Sequence, residues 1–124
     1  MTLIHITAYD KLAFISACEY GHMEVAQWLM SIIPAYDKNA FIEVCVNGEL
    51  EIAQAFYSIN PSIDISADNE RIFKIVCERG YLDVAKWLLS VKSDIDISVD
   101  DNYALKYARK NGHMNIVSWL NTLI

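Results

Sequence analysis

One phrase occurs four times in this chain. Residues 21–29 read GHMEVAQWL, residues 48–56 GELEIAQAF, residues 80–88 GYLDVAKWL and residues 112–120 GHMNIVSWL. A glycine opens each copy, and an apolar pair stands at the fourth and fifth places after it: Val25-Ala26, Ile52-Ala53, Val84-Ala85 and Ile116-Val117. The opening glycines are Gly21, Gly48, Gly80 and Gly112, so the last two spacings are equal and the first is shorter. Self-similarity at such a period is the mark of stacked repeats, in which each unit covers its apolar face with its neighbour.

Each unit reads as a pair of helices. Before the first glycine, KLAFISACEY carries apolar residues at 13, 14, 17 and 18, one face of a helix. Asp10, Asp37, Asn69 and Asp101 stand at the start of the four first helices and are expected to cap them. Gly21, Gly48, Gly80 and Gly112 stop those helices, because a C-terminal turn needs positive φ. Second helices are predicted at 23–32, 50–59, 82–91 and 114–123. Glu24, Glu51 and Asp83 lie in their first turns, where the helix dipole favours an acid.

The connectors differ. Ile63-x-Ile65 and Ile95-x-Ile97 alternate like short extended arms, and Leu3-Ile4-His5-Ile6 resembles a third. The connector after the first pair, IIPAYDKNA, is shorter than the other two and lacks the Ile-x-Ile pair. The expected organisation is one repeat domain over 1–124, with repeats at about 10–36, 37–68, 69–100 and 101–124 and a hairpin arm at 1–9.

Composition narrows the function. The net charge is −6, of which residues 1–62 hold −5 and residues 63–124 hold −1. Such a chain lacks the basic face that displaces phosphate counterions, so nucleic acid is not an expected partner. An acidic surface favours a partner with a basic one. No apolar run is long enough to span a bilayer, and the start lacks the flank of a signal peptide. A cytoplasmic, reducing compartment is expected.

No catalytic, metal or cofactor site is expected. Cys18, Cys45 and Cys77 are equivalent places in three repeats. Packed helices lie roughly 8–10 Å apart, whereas a disulfide needs Cα atoms within about 7 Å. The cysteines therefore read as small apolar contacts between helices. Cys18 and His22 do not recur as a ligand pair, and the run from Asp94 to Asp100 lacks the glycine and glutamate of a calcium loop. Its aspartates should face outward from a hairpin arm. Trp28, Trp87 and Trp119 read as core of the second helices, with Ala55 in their place in the second repeat. His22 and His113 read as turn residues bonding nearby backbone.

A helix, a glycine turn and an antiparallel helix, recurring at this spacing, resemble the ankyrin repeat. Gly21-His22 and Gly112-His113, with the apolar pair and Trp-Leu that follow, look like the family's G-H-x-x-[IV]-[VA]-x-x-L segment. Small residues before the glycine also match: Ala17-Cys18, Val44-Cys45 and Val76-Cys77. The family's T-P-L-H opening is replaced by Leu12-Ala13-Phe14-Ile15, Asn39-Ala40-Phe41-Ile42, Arg71-Ile72-Phe73-Lys74 and Tyr103-Ala104-Leu105-Lys106, and the hairpin glycine is missing. The phrase is similar to degenerate repeats of large DNA viruses and some protists. Tetratricopeptide repeats share the helix pairs but not the Ile-x-Ile connector.

The resemblance implies an all-α solenoid of four helix-turn-helix repeats with short hairpin connectors. It implies a non-catalytic module that binds another protein through its concave face. Finger tips and the exposed side of each first helix would then carry the partner. Those places are Tyr9, Lys11, Glu19 and Tyr20; Tyr36, Lys38 and Asn47; Asp68, Glu70, Glu78 and Arg79; and Asp100, Asn102, Lys110 and Asn111. Tyr9, Tyr20 and Tyr36 are the aromatic anchors.

The ends leave a second reading open. Lys106, Arg109, Lys110, Ser118, Asn121 and Thr122 give the fourth repeat a polar outer side, as a terminal repeat requires. The first repeat has no such shift. Either the chain is a segment of a longer array, or the apolar face of its first repeat associates with another copy.

Overall fold

The computed structural model describes residues 38–124 and, before them, Ala13, Ser16, Ala17, Tyr20, His22, Glu24, Val25 and Trp28; from residue 38 on, side chains are described from Phe41. Six helices follow in order: α1 (Lys38–Val46), α2 (Leu50–Ile59), α3 (Ala67–Arg79), α4 (Leu82–Val91), α5 (Val99–Lys110) and α6 (Met114–Leu123). Among the described residues there is no strand. The three described second helices begin and end at the residues predicted. Their signals are local: a glycine stop before and an unbroken apolar stripe within.

The glycine stop is a hydrogen-bonded motif. Gly80 adopts φ 88, its N–H donates to the carbonyls of Val76 and Cys77, and the N–H of Tyr81 donates to Val76. These bonds satisfy helix-end carbonyls that would otherwise be orphaned. The same crossing bonds close α1, Glu49 to Val44, and α5, His113 to Ala108.

Two compact units divide the chain, Met1–Val44 with Glu49–Ile63 and Cys45–Gly48 with Asp64–Ile124. In the first, Phe41 and Phe56 are fully buried with their rings 5.6 Å apart, beside Ile52 and Ala53. Phe56 supplies bulk in the repeat that has Ala55 in place of a tryptophan. Trp28 departs from the expected core position: it is 60% exposed, and Val25 is 49% exposed. Trp119, the equivalent residue of the fourth repeat, lays its ring against Phe73 of the preceding repeat, 6.3 Å between centroids.

In the second unit α3 pairs with α4, α5 pairs with α6, and α3 lies along α5. The core is Ile72, Phe73, Val76, Cys77, Val84, Ala85 and Leu88, continued by Ala104, Ala108, Ile116, Val117 and Leu120. Lys106, Arg109, Lys110, Ser118, Asn121 and Thr122 are all exposed, so the last repeat presents the polar side foreseen for it.

The connectors correct the expectation of extended arms. Each is two successive turns, closed by Ile63 N–H to Asn60 and Ala67 N–H to Asp64, then by Ile95 to Lys92 and Val99 to Asp96. Such i to i+3 turns fold the backbone where a ladder would need it extended. Asp64 and Asp96 hold the turns by accepting from the N–H of Ser66 and Ser98, each at 3.0 Å. Ile65 and Ile95 point inward, and Asp64, Asp94 and Asp96 outward.

A left-handed turn follows each connector. Asp68, Asn69 and Glu70 have φ of 55, 62 and 61, and Asp100, Asp101 and Asn102 have φ of 53, 58 and 63. This overturns the cap assignment for Asn69 and Asp101, whose helices show no side-chain cap bond. The left-handed conformation costs an L-residue roughly 1–2 kcal/mol, least for Asn and Asp. Asn102 is exposed with φ 63, so it isolates this cost. Asn102→Gly is expected to leave stability unchanged or raise it by up to about 1 kcal/mol, and Asn102→Val to lower it by roughly 1–2 kcal/mol. Urea denaturation of the two variants checks the opposite signs.

Candidate interaction surface

The surface of the second unit is set by contacts that repeat from one helix pair to the next. The residues after Gly80 and Gly112, Tyr81 and His113, lay their rings on the turn glycine one repeat earlier. A Cβ added at Gly48 would come within 2.7 Å of the Tyr81 ring, and one at Gly80 within 2.5 Å of His113 Nδ1. The His113 ring thus lies at the junction between repeats, while its backbone N–H closes its own turn. The residues before Gly80 and Gly112 reach back to a helix-end carbonyl of the preceding repeat. Arg79 Nη1 donates to the Val46 carbonyl at 2.7 Å, and Asn111 Nδ2 to the Glu78 carbonyl at 2.9 Å.

The tips are tied in the same way. Glu70 is buried, and its Oε2 accepts from the N–H of Asp96 at 2.9 Å. Asn69 Nδ2 donates to Asp100 Oδ1 at 2.8 Å, and Lys74 forms an ion pair with the same carboxylate. Farther along α3 and α5, the Tyr103 hydroxyl donates to Glu78. Tyr103 and Tyr107 pack ring to ring at 4.3 Å, with Lys74 over the first and Lys110 over the second. The resulting face has an aromatic pair at its middle, amines beside it and carboxylates at the tip.

The Glu78 carboxylate raises the Tyr103 hydroxyl from its ordinary 10.0 to about 12, with burial adding in the same direction. A raised folded-state value means that this hydrogen bond contributes fully below pH 10 and is lost as pH climbs toward 12. Ultraviolet titration should show one tyrosine ionising late, and Glu78→Gln should return it toward the ordinary value. Burial alone pushes the thiols of Cys45 and Cys77 up to about 12, which leaves both free cysteines as unreactive thiols.

Of the residues expected at the surface, Tyr9, Lys11, Glu19 and Tyr36 lie outside the described residues, as does the side chain of Lys38. Tyr20 is 75% exposed. Asn47, Asp68, Asp100, Asn102, Lys110 and Asn111 are exposed, and Glu78 is half-buried. Glu70 is placed inside instead, because the left-handed turn carries its carboxylate to the next connector. Arg79 and Asn111, although exposed, spend donors on the preceding repeat. Lys74, Tyr103 and Tyr107 were not foreseen. The i, i+4 spacing of Tyr103 and Tyr107 was a visible signal, since it puts both rings on one side of a helix.

Among the described residues no group of three or more His, Cys, Asp or Glu side chains is placed to hold a metal ion. No described helix is long and apolar enough to cross a membrane.

A family described as ankyrin repeats (many copies) matches residues 73–120, which include most of α3 and all of α4 and α5. Residues 73–120 carry ankyrin repeats. An X-ray structure of an ankyrin repeat family protein from Legionella pneumophila shares the fold, with a TM-score of 0.71 and 22% identity over 90% of the chain. The chain spans about a third of that protein, 34% of its length. No curated protein matches. The fold class is therefore the all-α repeat fold of ankyrin proteins, and ankyrin repeats are in general protein–protein interaction modules.

Proposed function

We propose that this ankyrin stretch is a single non-catalytic domain over 1–124 that binds a partner protein with a basic surface. Its binding face is the concave side of the stack. Tyr9, Lys11, Glu19, Tyr20, Tyr36, Lys38 and Asn47 serve it in the first two repeats. Asp68, Glu78, Asp100, Asn102 and Lys110 serve it in the last two, around the Tyr103–Tyr107 pair. The observation that carries this is the charge of the tips: Asp64, Asp68, Asp94, Asp96, Asp100 and Asp101 are all exposed on two consecutive connectors and the left-handed turns that follow them. Like charges on one edge steer an oppositely charged surface and fix its register. Free, buried Cys45 and Cys77 support a reducing, cytoplasmic setting.

The test is capture of the partner from the source organism's lysate at low and high salt, with Tyr9, Tyr20 and Tyr36 together changed to Ala as a second bait. Recovery should fall with salt and with the triple change. Salt-independent recovery would remove the charged tips from the interface, and unchanged recovery by the triple variant would remove the tyrosine anchors.

A further inference from the structure

Asparagine precedes two of the turn glycines, in Asn47-Gly48 and Asn111-Gly112, and both asparagines are exposed. The other two glycines follow Tyr20 and Arg79, and no other asparagine in the chain is followed by glycine. An asparagine side-chain amide is open to attack by the backbone nitrogen of the next residue, and glycine, with no Cβ, crowds that nitrogen least. The helix end opposes the attack. At Asn111 ψ is 6, so the Gly112 nitrogen eclipses the backbone nitrogen of Asn111 and not its Cβ, as ring closure would require. That conformation is held by Gly112 N–H on the Arg109 carbonyl at 3.1 Å, His113 N–H on Ala108 at 2.8 Å and Asn111 Nδ2 on Glu78 at 2.9 Å. Around Asn47 the same two backbone bonds run from Gly48 to Cys45 and from Glu49 to Val44, and the Tyr81 ring lies on Gly48.

The two side chains face opposite chemistry. Arg79 Nη1 reaches the Val46 carbonyl at 2.7 Å and Asn47 Oδ1 at 3.5 Å. A carboxylate at 47 keeps that acceptor and adds charge facing a guanidinium. Asn111 is instead the donor at its junction. A carboxylate there has no N–H to give, and it sets its oxygens against the Glu78 carbonyl oxygen. The dipole of the preceding helix opposes a new negative charge at either place. Arg79 counters it at 47. Arg109 and Lys110, in the last turn of α5, ease the charge at 111, but the bond across the junction is still lost.

We propose that Asn47 and Asn111 are sites of spontaneous deamidation, gated by opening of the helix end before each, and that the aspartate formed strengthens the Arg79 contact at 47 but breaks the Glu78 contact at 111. This goes beyond partner binding and does not depend on it. In the opened turn the glycine N–H gives its proton to solvent base, and its nitrogen bonds to Cγ of the asparagine. The Cγ–Nδ2 bond breaks, and the side-chain nitrogen takes up a proton and leaves as ammonia. Water then adds to one carbonyl of the cyclic imide and a ring C–N bond opens, giving aspartate or isoaspartate with one new negative charge. Water is the sole co-reactant, and nothing is oxidised or reduced. Isoaspartate also lengthens the backbone within the turn, which loosens either junction.

Incubation of the folded chain at mildly alkaline pH, followed by peptide mapping that resolves aspartate from isoaspartate, tests the sites. Conversion should be confined to Asn47 and Asn111 and slower than in the same chain held unfolded in guanidinium chloride. Gly112→Ala separates chemistry from stability. It weakens the turn, yet its methyl crowds the attacking nitrogen, so conversion at Asn111 should fall. Urea denaturation then tests the consequences. Asn111→Asp should have a lower midpoint than the unmodified chain and Asn47→Asp should not. Arg79→Gln should cost Asn47→Asp more than it costs the unmodified chain. No conversion in the folded chain would overturn the two sites, and conversion as fast as in the unfolded chain would overturn the gate. Faster conversion in Gly112→Ala would overturn attack by the glycine nitrogen, and equal midpoints for the two aspartate variants would overturn their opposite effects.

Discussion

Gly80→Ala is expected to destabilise the second unit by about 2–5 kcal/mol, and Gly112→Ala by only about 1–2 kcal/mol. Both glycines have positive φ, 88 and 80, so both substitutions meet the same left-handed penalty. They differ in what stands opposite. At Gly80 the new methyl would lie 2.5 Å from His113 Nδ1 and 2.6 Å from its Cε1, and at Gly112 it would meet nothing within 4 Å. Turning χ2 does not relieve the contact, because the His113 Cγ at the root of the ring would itself lie 2.7 Å away. The ring must leave its χ1 rotamer or the chain must shift, and overpacking typically costs about 1–3 kcal/mol beyond the backbone term. A double-mutant cycle separates the two. Gly80→Ala together with His113→Ala should be less destabilised than the sum of the single changes, with a coupling in the range of roughly 0.5–3 kcal/mol. Equal losses at the two glycines in urea denaturation would show that the ring contact contributes nothing.

What could be read from sequence alone follows the range of each signal. The second helices were legible to the residue, because Gly48, Gly80 and Gly112 and the apolar pair after each act within one turn of helix. The connectors were not. Ile63-x-Ile65 alternates as a strand would, yet the conformation is decided by Asp64 accepting from Ser66 and by three consecutive left-handed residues. Sequence shows residue types that tolerate such φ, not that they adopt it together. Glu70 illustrates the consequence: a glutamate in a polar tip reads as exposed, and only the turn's hand brings it to the N–H of Asp96 on the next connector. The junction contacts fall between these cases. Gly48 with Tyr81 and Gly80 with His113 are each separated by one repeat plus one place. The spacing lay in the sequence, but rings at those places have an equally simple life as exposed turn residues. Only the geometry distinguishes the two.

Cys77→Arg is expected to cost more than about 4 kcal/mol and to unfold the second unit, whereas Arg109→Ala should change stability by less than about 0.5 kcal/mol. The two positions are equivalent in successive repeats, each at the third place before its turn glycine. Cys77 is fully buried, in a core with Phe73 and Val76, and its environment holds the thiol at about 12 because a charge there is so poorly solvated. A guanidinium cannot shed its proton as a thiol keeps its own. It would have to stay charged in that core or push the helices apart, and an uncompensated buried charge alone is worth about 3–5 kcal/mol. At Arg109 the same side chain is exposed, so water solvates it and its loss removes little. One position therefore tolerates opposite residues according to whether another helix pair lies over it. Thermal and urea denaturation followed by circular dichroism give the result directly. A Cys77→Arg chain that melts cooperatively near the unmodified one would mean that α3 is open on this side, and the stacking of α5 along it would have to be abandoned.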